Sequence, residues 1–464
     1  MKAYLDLENN TVHKSPYRYV SFGKNVFNGL PINEQLYFFK HGSDILVYAP
    51  YDRFVALINK KEYNYLLTHS ISDKKIPKDL LYGKFYGVDR KSINFFKGPI
   101  FDPTELTVFL GDACNLHCVY CNATRARDDK KFNVEDTLTA IETIIKKYPI
   151  KHVSFFGNGE PLLYFDAIKK IVEFAEAQGI KSFYVATNAV FGSNTEKYVK
   201  FLVEHNIYTQ ISIDGYKEIH DLQRPMLNGK GSFEYVMRTI NEFKKHGDIN
   251  KYCLARFTLS EYASKHLKEI ILFLYKIGFR KIRFAELIPE GRALQQTSEM
   301  TRPPNPLKMV DSVVEVLLLA DRLGINLTGD YDPRTPSEAG IFPCPYMGGK
   351  AISLNKHLKI LSCLEDYNEW IIGEVNPGKK DVVINIERLS NLQKRNMFNF
   401  EECKSCPVKC GGGCTHYSYL TYKALNIPGD YKEKCKALKL ILKKYLIAKL
   451  IGREHGKILR KLKR

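Results

Sequence analysis

No run of apolar residues in this chain of 464 approaches the ~20 that a membrane span requires, so no span is expected. The first ten residues, Met1-Lys-Ala-Tyr-Leu-Asp-Leu-Glu-Asn-Asn10, hold no apolar h-region, so no secretory signal is expected. Eleven cysteines are too few for a disulfide scaffold at this length, and they are clustered rather than spread, which points to metal ligation. A reducing, cytoplasmic setting is therefore the expected compartment. Apolar residues make up 44% of the chain, which excludes global disorder and supplies core for two or three domains.

Charge is unevenly spread. The chain carries +19, and residues 432–464 hold thirteen Lys or Arg against two Glu. A basic stretch can signal nucleic acid. Here the lysines interleave with Leu438, Ile441, Leu442, Tyr445 and Ala448 at helical spacing, so a surface helix with one packed and one solvated face is expected instead. That helix is placed over 441–464, docked on the cysteine-rich region beside Cys435, with its basic end from Arg453 onward in solvent.

The densest chemistry lies in Gly111-Asp-Ala-Cys-Asn-Leu-His-Cys-Val-Tyr-Cys-Asn122, where Cys114, Cys118 and Cys121 form a C-x3-C-x2-C run. Thiolates suit zinc and iron–sulfur clusters. Three of them can hold three irons of a [4Fe–4S] cubane and leave the fourth iron for a small molecule; a zinc knuckle is the alternative. The preceding Thr104-Glu-Leu-Thr-Val-Phe-Leu110 reads as a strand, so the cysteines leave a strand's C-terminal end, where open α/β folds keep their chemistry.

From residue 104 apolar runs at 104–110, 151–156, 181–187, 208–213, 252–258 and 281–286 alternate with helical patterns near 134–147, 165–178, 195–205, 233–246, 263–277 and 306–322. Six such units predict a partial, open (β/α)6 TIM-type barrel over 101–330. Residues 1–100 stand apart as a small α+β region, with strands at 35–39, 44–49 and 54–58 and a helix from Lys60 to His69.

The cysteine run, with Tyr120 before its last member, resembles the radical S-adenosylmethionine (SAM) enzymes. The resemblance implies that SAM chelates the open iron and is reductively cleaved to a 5′-deoxyadenosyl radical, with the electron drawn from a donor such as flavodoxin or ferredoxin. It also implies the SAM contacts. After the second strand, Gly159, Glu160 and Pro161 match the family's Gly-Gly-Glu-Pro, with Asn158 in place of its first glycine; the backbone there and Glu160 would meet the SAM amino group. After the third strand, Thr187-Asn188-Ala189 is similar to a Thr-Asn-Gly segment, with Ala189 in place of the glycine, so no positive-φ turn is expected. After the fourth, Ser212-Ile-Asp-Gly215 and Arg224 follow; Asp214 would accept ribose hydroxyls and Arg224 pair with the SAM carboxylate. Glu286-Leu-Ile-Pro-Glu-Gly-Arg292 follows the sixth strand, a candidate place for an adenine or substrate contact, with no role given to a single residue.

Seven further cysteines resemble the SPASM domain, expected over 331–440, which binds two auxiliary [4Fe–4S] clusters and brings the expected total to three. By position, Cys344, Cys363 and Cys414 would serve the cluster nearer the barrel, and Cys403, Cys406, Cys410 and Cys435 the distal one. Two departures show: three residues rather than five separate Cys406 from Cys410, and Leu358 stands where a glycine is favoured. No eighth cysteine lies between Cys253 and Cys344, so the nearer cluster would have an open iron or a non-cysteine ligand; Cys253 itself reads as an ordinary buried thiol.

The implied activity is radical modification of residues in a peptide or protein substrate, with residues 1–100 as a possible leader-peptide recognition element. An anaerobic sulfatase maturase is disfavoured, because its first cysteine motif typically lies near the N-terminus. A SPASM enzyme acting on a small molecule or building a cofactor is the rival enzyme reading. A cysteine-rich zinc or electron-carrier protein that binds nucleic acid is the rival of another class.

Overall fold

The computed structural model describes residues 99–126, 128, 130–334, 342–404, 406–408, 410–425, 427 and 432–461, preceded by Lys60 and the six strand segments named next. Those strands are β1 (Ala3–Asp6), β2 (Thr11–Lys14), β3 (Arg18–Ser21), β4 (Tyr37–His41), β5 (Asp44–Ala49) and β6 (Phe54–Ile58), and they form one sheet in the order β2-β1-β3-β6-β5-β4. The last three coincide with expected strands. The first three were not legible, being four residues each with polar flanks. The expected helix after Lys60 lies outside the described residues.

The central sheet starts with β7 (Glu105–Phe109), β8 (His152–Phe156), β9 (Ser182–Thr187), β10 (Ile207–Ser212), β11 (Cys253–Leu259) and β12 (Lys281–Glu286), all parallel and neighbours in chain order. Each lies within a residue or two of its expected place, because short apolar runs between helices are what a sheet covered by crossovers requires. Leu106 and Val108 of β7, Val153 and Phe155 of β8 and Phe257 of β11 are wholly buried. The crossover helices present one apolar face. In Val134–Lys147, Ala140, Ile141 and Ile144 are buried, and Asn133 caps the start by accepting from the N–H groups of Glu135 and Asp136.

The sheet does not stop at six. β13 (Asn326–Gly329) extends it beyond β12, and β14 (Ala351–Leu354) pairs in parallel with β7 at the other edge. From β14 the sheet continues as an antiparallel run through β15 (Lys359–Leu361), β16 (Ile371–Asn376) and β17 (Asp381–Ile384). Strands from both sides of residue 330 thus belong to one sheet, and the pairing of β14 with β7 brings the β14–β15 hairpin beside the loop that leaves β7.

The basic tail differs from its expected docking. Its helix begins at Lys432, so Cys435 lies in the first turn, and it runs to Lys461. Leu438, Ile441, Leu442, Tyr445 and Leu446 are buried, and the helix packs on the barrel helix Val310–Leu323 rather than only beside the cysteines. An apolar stripe needs an apolar partner, and that barrel helix also supplies acids. Tyr445 donates to Asp321 at 2.7 Å, Lys449 pairs with Asp321 at 2.7 Å, and Lys444 pairs with Asp311 at 2.6 Å. Deleting residues 453–464 should leave this contact, and therefore iron content after reconstitution, unchanged. Loss of iron on that deletion would show that the final turns are structural. No helix among the described residues is long and apolar enough to cross a membrane.

Candidate active site

The loop after β7 carries Cys114, Cys118 and Cys121 and is tied down on three sides. His117 N–H donates to the Pro225 carbonyl at 2.7 Å and Val119 N–H to that of Gln223 at 3.0 Å. From the segment after β12, Arg292 donates its N–H to the Cys121 carbonyl at 2.9 Å and a guanidinium N–H to the Cys118 carbonyl at 2.7 Å. Gly291 makes that approach possible: its φ is +56°, and a Cβ there would lie 2.6 Å from the carbonyl oxygens of Cys121 and Asn122. From β8, Glu160 N–H donates to the Ala113 carbonyl at 2.8 Å, across Gly159, whose Cβ would stand 2.1 Å from that oxygen.

Glu160 is nearly wholly buried. One carboxylate oxygen accepts from Thr187 Oγ1 at 2.6 Å and Leu162 N–H at 3.0 Å; the other accepts from Asn188 N–H at 2.7 Å. Burial raises its pKa, and the hydrogen bonds from Asn188, Thr187 and Leu162 hold the rise back. Pro161 opens the short helix that follows. Asn188 reaches the cysteine loop itself, with its amide 2.7 Å from Asn115 Oδ1 and 3.9 Å from Cys114 Sγ. Glu160, Thr187 and Asn188 therefore converge on the first cysteine. A cavity of about 250 Å³ opens there, lined by Asn115, Glu160, Val190, Phe191, Met226 and Tyr235 among others.

The turn after Asn188 corrects one expectation. Ala189 has φ +58°, so the left-handed turn is present without its glycine. Leu358 likewise has φ +58° in the β14–β15 turn. An L-residue there is strained by about 1–2 kcal/mol, which the surroundings offset: Ala189 N–H donates to Thr187 Oγ1 at 3.0 Å, and its carbonyl accepts from Thr239 at 2.8 Å.

A second correction concerns Asp214 and Arg224, which are not independent ligand contacts. Arg224 Nε donates to Asp214 Oδ2 at 2.9 Å, Tyr120 OH donates to the same oxygen, and Thr258 N–H donates to Oδ1 at 2.9 Å. Asp214 is fully buried, so it has no oxygen to offer a ribose; it orients Arg224 and the tyrosine next to Cys121. The Arg224 Nη atoms make no hydrogen bond to protein among the described residues, which leaves them for an anion. Ser212 ends β10 in register with Arg256 and makes no side-chain hydrogen bond among the described residues.

His220 is fully buried below this pair. Its Nδ1 accepts from Asp214 N–H at 3.2 Å, which leaves Nε2 to donate to Ser232 Oγ at 3.0 Å, so the ring is held neutral. Burial lowers its pKa from 6.5 to about 4. The unfolded chain therefore takes up a proton first: stability is full above pH 6.5 and falls as the pH drops to about 4, by about 3 kcal/mol. His220→Gln should flatten that part of the profile in denaturant titrations. An unchanged slope between those two pH values would refute the assignment.

The C-terminal cysteines fall into neighbourhoods. Burial raises the Cys363 thiol most, and Cys414, Glu365 and Cys344 raise it further. Burial pushes Cys403 up to about 12, helped by Cys410, Cys406 and Cys435. In the β7 loop, burial pushes Cys118 up to about 12 against the lowering influence of Arg224, with Cys121 and Cys114 as neighbours. Soft thiol donors in such groups, near backbone that only glycine lets approach, fit iron–sulfur clusters and a small ligand at the first of them. Cys253 is wholly buried in β11, away from these groups in sequence.

Several residues at the site were not legible beforehand. Asn122, directly after Cys121, donates to both carboxylate oxygens of Glu365, at 3.1 and 3.3 Å. Lys356, in the β14–β15 turn, pairs with Asp112 at 2.5 Å and Asp128 at 2.6 Å, on either side of the cysteine run. These contacts join positions more than two hundred residues apart, and no spacing rule encodes them.

Residues 108–274 match the model of the radical SAM superfamily. The chain is 32% identical over 186 residues to a cysteine-type anaerobic sulfatase-maturating enzyme of Clostridium novyi (strain NT), covering 37% of this chain and 47% of that one. It is 30% identical over 149 residues to the mycofactocin maturase MftC of Mycolicibacterium smegmatis, covering 31% and 35%. It thus spans about half, or less, of the length of these relatives. Among solved structures, native anSMEcpe with bound AdoMet aligns at TM-score 0.57 and 19% identity over 75% of this chain and 99% of that one. SuiB of Streptococcus suis bound to the precursor peptide SuiA aligns at TM-score 0.50 and 15% identity over 85% and 97%.

Proposed function

We propose that this chain, whose residues 108–274 match the radical SAM superfamily, is a radical SAM enzyme that modifies residues of a peptide or protein substrate, in the maturation of a ribosomally made peptide. The observation that carries this reading is the reach of the structural likeness. The match to SuiB bound to the precursor peptide SuiA covers 85% of this chain, against 75% for anSMEcpe with bound AdoMet, and so takes in more of the chain than the barrel and cysteine regions alone. The relative named as a mycofactocin maturase supports the same substrate class.

Cys114, Cys118 and Cys121 would hold the SAM-binding [4Fe–4S] cluster. That group, when bound and reduced, supplies the electron that splits SAM to a carbon radical able to abstract hydrogen. The protein's part is placement. Glu160 has one acceptor position left for the SAM ammonium, and the Arg224 Nη atoms suit its carboxylate. Asp214 fixes Arg224, and Asn188 and Asn115 line the approach. The thiol neighbourhoods support two auxiliary clusters, one on Cys344, Cys363 and Cys414, the other on Cys403, Cys406, Cys410 and Cys435. A soluble one-electron donor such as flavodoxin or ferredoxin would complete the reaction.

A second reading stays open on one observation: a cysteine-type sulfatase-maturating enzyme is 32% identical over 186 residues, although the sequence pattern disfavoured that class. Anaerobic co-expression with each short reading frame flanking the gene, followed by mass spectrometry, separates the two. Expected is a mass change confined to one short peptide. Formylglycine formed instead on a sulfatase-derived cysteine peptide would give the result to the second reading.

If residues 1–100 hold a leader, an extended segment would add to a strand edge of the β1–β6 sheet and raise the local concentration of the modifiable segment. Removal of residues 1–90 should then weaken peptide binding at least tenfold, while SAM cleavage without peptide persists. A truncated enzyme, replete in iron, that binds its precursor as tightly as the full chain would exclude this role.

A further inference from the structure

Outside the SAM contacts, the least expected arrangement is a group of buried Glu290, half-buried Glu365 and buried His416, whose ligand-type atoms all lie within 4.8 Å of one another. Two carboxylates and an imidazole invite a metal ion. The hydrogen bonds argue otherwise. Trp370 Nε1–H donates to His416 Nδ1 at 3.2 Å, so Nδ1 carries no proton and Nε2 does. Nε2 then donates to Glu290 Oε2 at 2.9 Å, and its lone pair is not available to a cation. Trp370 and His416 are each at most 1% exposed, which leaves the ring no room to exchange its partners.

The group has a mechanical meaning instead. Glu290 opens the short turn Gly291–Leu294, and two residues later Arg292 holds the carbonyls of Cys118 and Cys121. At its other end Glu290 grips His416, in the first turn of the helix Thr415–Tyr422 that starts from Cys414. Glu365 lies between: it accepts from Asn122, next to Cys121, and its own chain position is two residues after Cys363. The three residues Glu290, Gly291 and Arg292 thus touch the β7 cysteine loop on one side and the Cys414 helix on the other.

We infer that Glu290–Gly291–Arg292 is a bracket that sets the position of the SAM-binding cysteine loop relative to the nearer C-terminal cysteine group, with Glu290 and Arg292 as positioning residues. Neither is proposed to touch the reacting atoms. Arg292 works through the carbonyls of two cysteines. Glu290 works through His416 and the helix that begins at Cys414. Because Gly291 carries no side chain, the turn lies directly against the Cys121 and Asn122 carbonyls, and the bonds made by Glu290 and Arg292 at its two ends couple a displacement at one to the other. The inference rests on the reading of Cys114, Cys118, Cys121, Cys344, Cys363 and Cys414 as cluster ligands.

The test uses the reconstituted full chain and compares wild type with Glu290→Ala and Glu290→Gln. SAM affinity is measured by equilibrium binding, and the reduction potential of the nearer auxiliary cluster by spectroscopic titration. Glu290→Ala deletes the acceptor for His416; it is expected to weaken SAM binding about five-fold and to shift the auxiliary potential, with iron content intact. Glu290→Gln keeps a carbonyl oxygen for His416 Nε2–H, so it should restore both readouts to near wild type. If Glu290→Ala only lowers the unfolding temperature, with SAM affinity and potential unchanged, the bracket is overturned, as it is by failure of Glu290→Gln to rescue. A wild-type chain that takes up no clusters or binds no SAM would instead overturn the enzymatic reading on which the inference stands.

Discussion

Replacing Cys114, Cys118 and Cys121 together by Ala is expected to abolish 5′-deoxyadenosine formation in the presence of reductant and SAM. The three thiols lie on one loop whose backbone is fixed by residues outside it: Gln223 and Pro225 on one side, Arg292 on another, and Glu160 against Ala113 on the third. Those bonds use main-chain groups and survive the substitution, so the loop should keep its course while losing every local soft donor. With three cubanes expected per chain, iron should fall by about a third rather than to zero. The unequal loss is the discriminating readout. Undiminished 5′-deoxyadenosine would remove the cluster from this loop, and loss of all iron would mean that the triple variant had disturbed the C-terminal cysteines as well.

The loop's donors were legible because their chemistry is written in residue type and spacing. The parallel strands were legible for a similar reason, since buried apolar residues recur at every second position, as Phe183 and Val185 do in β9 and Ile282 and Phe284 in β12. Conformation without its usual residue was not. Ala189 and Leu358 stand where related motifs carry glycine, and residue identity argued against a positive φ at the first; the structure has +58° at both. The motif's surroundings, not its glycine, set the backbone there: Thr187, Asn188 and Thr239 hold the main chain on each side of Ala189.

What joins the two halves of the chain was illegible in a different way. β14 lies beside β7 although it comes some 240 residues later, and only the ladder shows that the C-terminal hairpin faces the cysteine loop. From that adjacency follow Lys356 between Asp112 and Asp128, and Glu365 against Asn122. A single sequence carries no periodicity for such pairs. The segment ending in Glu-Gly-Arg292 did stand out, by its place after a strand end, but the bonds of Arg292 to the cysteine backbone were not foreseen. The pairing of Asp214 with Arg224 belongs to the same class. Each residue type was suited to SAM, and only the fold shows that one is spent on the other.

That pairing supports the other large effect. Asp214→Asn is expected to destabilise the metal-free chain by about 3–5 kcal/mol, because it leaves Arg224 charged, nearly wholly buried and without its counter-ion. Burial by itself would raise the Asp214 pKa; the Arg224 guanidinium and His220 more than offset it, and the net shift is downward. The folded-state value therefore lies below the unfolded one. The stability it contributes is complete above about pH 4 and is lost as the pH falls through the folded value, a window below the one assigned to His220. The amide of Asn can still accept from Thr258 N–H or Tyr120 OH, so the cost isolates the charge rather than the shape. Adding Arg224→Met to Asp214→Asn removes the stranded cation and should recover most of the loss, since a buried pair replaced on both sides by neutral groups of like volume is close to neutral. The double variant should nonetheless bind SAM poorly, for it lacks the guanidinium read as the carboxylate's partner. Guanidinium chloride unfolding of wild type, single and double variants at pH 7 gives the stabilities, and equilibrium SAM binding gives the other axis. A single variant as stable as wild type would mean that Arg224 finds compensation elsewhere. A stable double variant with wild-type SAM affinity would take Arg224 out of the binding site, leaving the pair as a brace for Tyr120 and the loop that ends in Cys121.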